Sequence, residues 1–251
     1  MLTHPTLEKL KTMRLSGMAK GLEDQLQTPD IESLNFEERL GLLIDREQTD
    51  RETRQLKSRL TRAKMRQKAC IEDIDYRVGR GLDKSMMLDL GSCKWLTNQH
   101  NLLITGPTGV GKTYLACALA QKACREGFTA LYLRLPRLFS DLAIARGDGR
   151  YTKLMLGFSR VHLMVLDDWG LAPLTAENRR ELLEVLDDRY GKRSTLITSQ
   201  LPVSKWHQYL DDPTLADAIL DRVVHNAYKI ELKGESMRKR KGKRLDVFDN
   251  K

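Results

Sequence analysis

Residues 106–113 read GPTGVGKT, a complete match to G-x-x-x-x-G-K-[ST], lying between the apolar run NLLIT at 101–105 and a helical pattern that stops at Gly127. Strand, glycine loop and helix in that order dictate much of what the surrounding chain can become. Gly106, Gly109 and Gly111 let backbone N–H groups converge on one concavity, where they and the helix N-terminus hold phosphates. Pro107, Thr108 and Val110 complete the loop, and Tyr114 follows it. Lys112 brings a point charge to the β and γ oxygens of a nucleoside triphosphate. The Thr113 hydroxyl completes a Mg²⁺ shell made otherwise of water, phosphate and one carboxylate. The expected cofactors are therefore ATP and Mg²⁺.

The carboxylate should end another buried strand, and VHLMVLDDWG supplies it. Five of its first six residues are strongly apolar, and Asp167 and Asp168 emerge at the phosphate edge. Asp167 is the expected Mg²⁺ residue, and Asp168 the group that orients and deprotonates the attacking water. Runs at 101–105, 129–134, 161–166, 194–199 and 227–232 are short and β-rich, each separated by helical pattern. They predict an α/β fold, a parallel five-stranded sheet between helices. One strand intervenes in sequence between the P-loop strand and the acidic one. That spacing resembles the AAA+ branch of P-loop ATPases, whose next strand carries a polar sensor near the γ-phosphate; Thr198, Ser199 and Gln200 are the options here.

Charge points outward from this site. The net charge is +9, yet residues 51–68 carry +7 and residues 229–244 carry +6, so the remainder is acidic. Such concentration predicts a polyanion-binding surface, since each neutralised phosphate releases counterions and adds affinity without regard to sequence. Helical pattern covers 6–27, and a second helix capped by Asn35 is expected to run to about Cys70. On that helix Leu56, Leu60 and Ala63 form a narrow docking stripe. Arg51, Arg54, Arg59, Arg62, Lys64 and Arg66 occupy much of the rest, and Glu52 is the single acid in 51–68, too few to lace a solvated helix. Arg137, Arg146, Arg150 and Lys153 lie in 136–160, a second DNA-facing candidate or an ordinary surface helix pair. No base-reading element is evident, which predicts backbone recognition with little sequence preference.

The four cysteines form no CxxC pair and the N-terminus lacks the apolar core of a signal peptide, which predicts a reduced cytoplasmic setting. The longest apolar run is far too short for a bilayer, so no membrane partner is expected. The expected layout is a small all-α DNA-binding domain at 1–75, a connector at 76–98, an ATPase domain at 99–232 and a basic tail at 233–251. The few, mostly charged residues after Leu232 leave no room for a full helical lid.

In DDPTLADAILDRVVHNA, Arg222 falls shortly before the last strand, where AAA+ proteins keep the arginine finger that reaches into a neighbouring subunit's nucleotide. Arg238 stands where a second sensor arginine would fall, although it could equally face DNA. The narrower segments ACIEDIDYRVGRGLD, VLDDWGLAPL and PTLADAILDR, with the P-loop, resemble the IstB-type transposition helper ATPases of insertion sequences, kin of the DnaC-type helicase loaders. That resemblance covers nearly the whole chain. It implies an ATP-hydrolysing AAA+ protein that forms a homo-oligomer on double-stranded DNA and partners an IstA-type transposase. A helicase loader preferring single strands and a P-loop enzyme unrelated to DNA are the competing readings.

Overall fold

The computed structural model describes residues 5–77 and 79–237. By internal contacts the chain falls into two compact units, one reaching to Ser58 and the other beginning at Arg59.

The first unit is helical: α1 (Pro5–Thr12), α2 (Ser16–Gln27) and most of α3 (Phe36–Ala63). Where a single helix is predicted over 6–27, the chain breaks at 13–15, with Arg14 at a φ of 61°. The cause lies on α3. Buried Glu47 accepts from Gly17 N at 2.7 Å and Met18 N at 3.2 Å, so it caps α2 and fixes a new helix start there. Gly17 makes this possible, because a Cβ there would lie 2.6 Å from Glu47 Cα. Burial pushes the Glu47 carboxyl up, but Arg51 and the two backbone N–H groups outweigh it and hold the group below its ordinary value.

The start of α3 is as expected, a reciprocal cap in which Glu38 N donates to Asn35 Oδ1 at 3.0 Å and Asn35 N to Glu38 Oε2 at 2.8 Å. Its end is not. The helix stops at Ala63 rather than near Cys70, because Lys64 turns left-handed at a φ of 50°. Nor is it unlaced: Glu47 meets Arg51 at 2.6 Å, and Asp50 meets Arg54 at 3.0 Å. Both acids lie just before the basic run, one helical turn from their partners.

The second unit carries α4 (Lys84–Gly91) and α5 (Lys94–Thr97) within the expected connector. Then follow β1 (Asn101–Thr105), α6 (Lys112–Arg125), β2 (Ala130–Arg134), α7 (Leu135–Gly147), α8 (Tyr151–Arg160) and β3 (Leu163–Trp169). The remaining elements are α9 (Ala176–Arg189), β4 (Ser194–Ser199), α10 (Trp206–Leu210), α11 (Pro213–Val224) and β5 (Ala227–Glu231). All strands pair in parallel, in the order β2-β3-β4-β1-β5. The near-continuous apolar runs are explained by burial on both faces: Leu102, Leu163, Met164, Val165, Leu166, Leu196 and Ile197 are inaccessible. Trp95, Trp169 and Trp206 are buried packing anchors, with the Trp169 and Trp206 rings 4.9 Å apart. Among the described residues, no helix is long and apolar enough to cross a membrane.

At the edge of the sheet away from the P-loop, Arg189 is buried without a carboxylate partner among the described residues. It donates to Phe158 O at 2.5 Å, Val161 O at 2.9 Å, Thr195 Oγ1 at 3.1 Å and Ser194 O, tying α8 and α9 to the start of β4. Arg189→Ala strands three carbonyls and opens a cavity, so we expect a loss of about 4 kcal/mol of stability. A lowered urea midpoint at constant slope is the measurement.

Candidate nucleotide site

Because β4 lies between β1 and β3, the carboxyl ends of all three strands open onto one edge. That edge forms a cleft of about 700 Å³ lined by the P-loop, Asp167, Asp168, Thr198 and Gln200, together with Arg66, Arg80, Tyr114, Arg134 and Met237. The glycine loop takes backbone angles closed to most side chains, with φ of 144°, 87° and 104° at Gly106, Gly109 and Gly111. Val110 between them is wholly buried and pins the loop to the core. Pro107 and Thr108 stay exposed.

The loop is gripped from two sides. Leu232 N donates to Thr105 O at 2.8 Å and Met237 N to Gly109 O at 2.9 Å, while a Cβ on Gly106 or Gly109 would collide with Leu232 or Ser236. On the other side Arg80, 5% exposed, donates to Val110 O at 3.1 Å, in room that a Cβ on Gly111 would fill to within 2.7 Å. Burial pushes the Arg80 guanidinium below its ordinary value, and its Nε has no hydrogen-bond partner among the described residues. A cation buried beside a loop of converging N–H groups suits an anionic ligand.

Asp167 is 2% exposed and serves as the hub of the acidic end. Thr113 Oγ1 donates to it at 2.9 Å, and the hydroxyls of Tyr132 and Thr198 donate as well. Burial, then the bond to Asp167, drives the Tyr132 phenol well above its ordinary value, so it stays a donor. Asp168 follows at a φ of 64°, where the pairing of β3 with β4 shifts register, and it accepts from Arg134 Nε at 2.6 Å. Arg66 Nη1 stands 3.8 Å from Asp167 and 3.9 Å from Asp168. A P-loop hydroxyl against one buried carboxylate is a hard-oxygen pair suited to Mg²⁺ carried on phosphates. Among the described residues no His, Cys, Asp or Glu cluster could hold a metal by itself, and none is needed for that.

Of the sensor options, Thr198 touches Asp167 and Gln200 accepts from Thr108 at 2.7 Å. Ser199 instead donates to Trp169 O at 2.8 Å, away from the acids. Lys112 Nζ lies over Gly106 O at 2.6 Å and Pro107 O at 2.8 Å. Half-buried Tyr114 lines the cleft as expected. Arg238 lies outside the described residues.

Several arginines have occupations that a linear reading misses. Arg222 pairs with Asp187 at 2.6 Å across α9 and α11, although no acid stands one turn back on its own helix. Arg59 donates to Cys124 O at 2.9 Å at the end of α6, and Arg66 belongs to the cleft rather than to an outward basic face. Arg137 pairs with Asp141 at 2.9 Å, Arg146 with buried Glu181 at 3.0 Å, and Arg150 with Asp148. Arg51, Arg54, Arg62, Lys64 and Lys153 are exposed, the first two in the pairs already described. Tyr132 and Arg134 were detectable, as alternate polar residues on one face of an apolar strand whose register sets Arg134 opposite Asp167. Arg80 carries no such signal.

A model of the IstB-like ATP binding protein family matches residues 8–245. The chain is 54% identical to an insertion sequence ATP-binding protein, y4pL, of Sinorhizobium fredii, over 95% of this chain and 98% of that one. It is 51% identical to the ATP-binding protein of insertion sequence IS1162 from Pseudomonas fluorescens, over 81% and 89% of the two chains. Its fold is similar to the crystal structure of DnaI, with a TM-score of 0.57 and 22% identity, over 66% of this chain and 92% of the other. A family model over nearly the whole chain, with relatives this similar, makes the chain a member of the IstB-like ATP binding protein family.

Proposed function

We propose that the chain hydrolyses ATP and uses the cycle to assemble on and release duplex DNA as a transposition helper for a partner transposase. The observation that carries the enzymatic reading is the contact of Thr113 with Asp167 at 2.9 Å, beside Asp168 in the P-loop cleft. In this reading the loop amides and Lys112 hold the phosphates, while Thr113 and Asp167 hold Mg²⁺. The metal would neutralise charge on the β and γ oxygens. Asp168 orients a water on the γ-phosphorus and takes its proton as the β–γ bridging bond breaks, giving ADP and phosphate. Thr198, tied to Asp167, and Gln200, tied to the loop, report the γ-phosphate to β4.

The insertion-sequence relatives support the transposition role, and the concentrated positive charge supports DNA. Arg62, Lys64 and Lys153 are exposed cations assigned to phosphates, and Arg51, Arg54, Arg137, Arg146 and Arg150 join them by exchanging acidic partners. Arg222 is assigned to the nucleotide of a neighbouring copy, its Asp187 pair being the resting state. Nucleotide occupancy then favours the assembled state, and hydrolysis removes that preference.

Sedimentation velocity with a non-hydrolysable ATP analogue and duplex tests this reading. The chain should grow in size with analogue and DNA together, while Arg222→Ala stays small and loses its concentration-dependent turnover by roughly 10³-fold, the worth of an arginine finger. Unchanged sedimentation of the parent chain rejects assembly, and preference for single strands over duplex favours the helicase-loader reading.

A further inference from the structure

Of the three arginines that line the cleft, two stand beside Asp167 and Asp168, and neither belongs to the P-loop, the acidic strand or the sensor strand. Arg134 ends β2 and meets Asp168 at 2.6 Å; Arg66 stands within 4 Å of both carboxylates and hydrogen-bonds Tyr132. Two carboxylates thus face two guanidiniums.

The placement of Arg66 is built rather than incidental. The left-handed turn at Lys64 ends α3, so the next residues leave the helix axis and run along α6, the helix that the P-loop opens. Arg59 moors this stretch at one end through Cys124 O. The backbone N–H groups of Arg66 and Gln67 moor the other on the thiol of Cys117, which is wholly buried. With its backbone fixed, the side chain has the acids within reach, yet it remains 47% exposed, as Arg134 does at 48%. Water reaches the arginine side of each of these pairs and screens it, so they add little to stability. Their position at the phosphate end of the cleft calls for another account.

We propose that Arg66 and Arg134 are cis-acting nucleotide-binding residues that exchange Asp167 and Asp168 for the γ-phosphate when Mg²⁺ and ATP enter, so that the cleft favours the triphosphate over the diphosphate. This inference rests on the reading of Thr113 and Asp167 as the Mg²⁺ pair. Once Asp167 turns its oxygens to a metal, Arg66 loses its counter-charge, and the nearest replacement is the phosphate beside that metal. Arg134 does the same when Asp168 turns to water. ADP offers no oxygen at that position, so both arginines then stay with the acids. Guanidinium is fitted to this exchange, because its planar fork matches carboxylate and phosphate alike.

Equilibrium titration of the full chain with fluorescent ATP and ADP analogues in Mg²⁺ tests the proposal. The parent chain should prefer ATP. Arg66→Gln and Arg134→Gln should each lose about tenfold in ATP affinity, as expected for one charge-assisted contact, with ADP affinity held within about twofold. Arg66→Lys, which keeps the charge without the fork, should fall between. Thermal unfolding of each variant separates lost binding from lost folding. Equal losses for both nucleotides, or an unchanged preference, overturn the proposal while leaving the Mg·ATP site intact. A parent chain that binds neither nucleotide in Mg²⁺ overturns that site and this inference together.

Discussion

Lys112→Ala weakens ATP binding by about a hundredfold or more, because it deletes the one P-loop charge directed at two phosphates. Loop shape is not the cause of that loss. The glycine angles are set by Val110 in the core, by Arg80 on one side and by the 232–237 segment on the other, none of which involves the lysine side chain. Lys112 does lie over Gly106 O and Pro107 O, but both carbonyls belong to partly or fully exposed residues that water can serve. Isothermal titration should therefore show the lost affinity with an unchanged unfolding midpoint. If binding and stability fall together, the lysine is a brace for the loop rather than a ligand for phosphate.

Asp168→Asn is expected to keep ATP and stop hydrolysing it, with turnover lower by about 10²- to 10⁴-fold, the usual range for a lost general base. Asparagine has nearly the same shape and still accepts a hydrogen bond from Arg134, so the left-handed turn at this position survives; Asn tolerates that conformation well. What it cannot do is take a proton. Asp167→Asn should behave differently, since Thr113, Tyr132 and Thr198 all donate to the Asp167 carboxylate and Mg²⁺ needs its charge. Its loss should appear as weaker Mg²⁺-dependent ATP binding. Single-turnover hydrolysis with pre-bound ATP separates the two, and wild-type turnover by Asp168→Asn would remove it from the base role.

The part of this site that was legible in the sequence is the part made of local pattern. A glycine loop between strand and helix, and a carboxylate pair after an apolar strand, announce themselves within ten residues because backbone geometry and burial demand those residue types. The five parallel strands were legible for the same reason. What stayed hidden depends on partners far along the chain. Leu15, Met18, Leu22 and Leu26 keep their helical spacing through the break before α2, because Glu47 caps that helix from across thirty residues. The run from Arg51 to Lys68 reads as one charged face, yet Arg59 and Arg66 leave it for the P-loop helix and the acids. Arg222 has no acid near it in sequence and one at 2.6 Å in space. Charge patterns count residues, whereas ion pairs depend on which surfaces the fold brings together.

The backbone bonds that tie Leu232 to the end of β1 and Met237 to the P-loop have a bearing on how the basic C-terminal residues can be dissected. A truncation after Glu231 would remove positive charge and slacken the nucleotide loop in a single cut, and a DNA-binding defect in such a fragment would have two causes at once. Stopping the chain after Met237, or exchanging the distal lysines and arginines in place, keeps the loop's mechanical support while altering only the electrostatics beyond it.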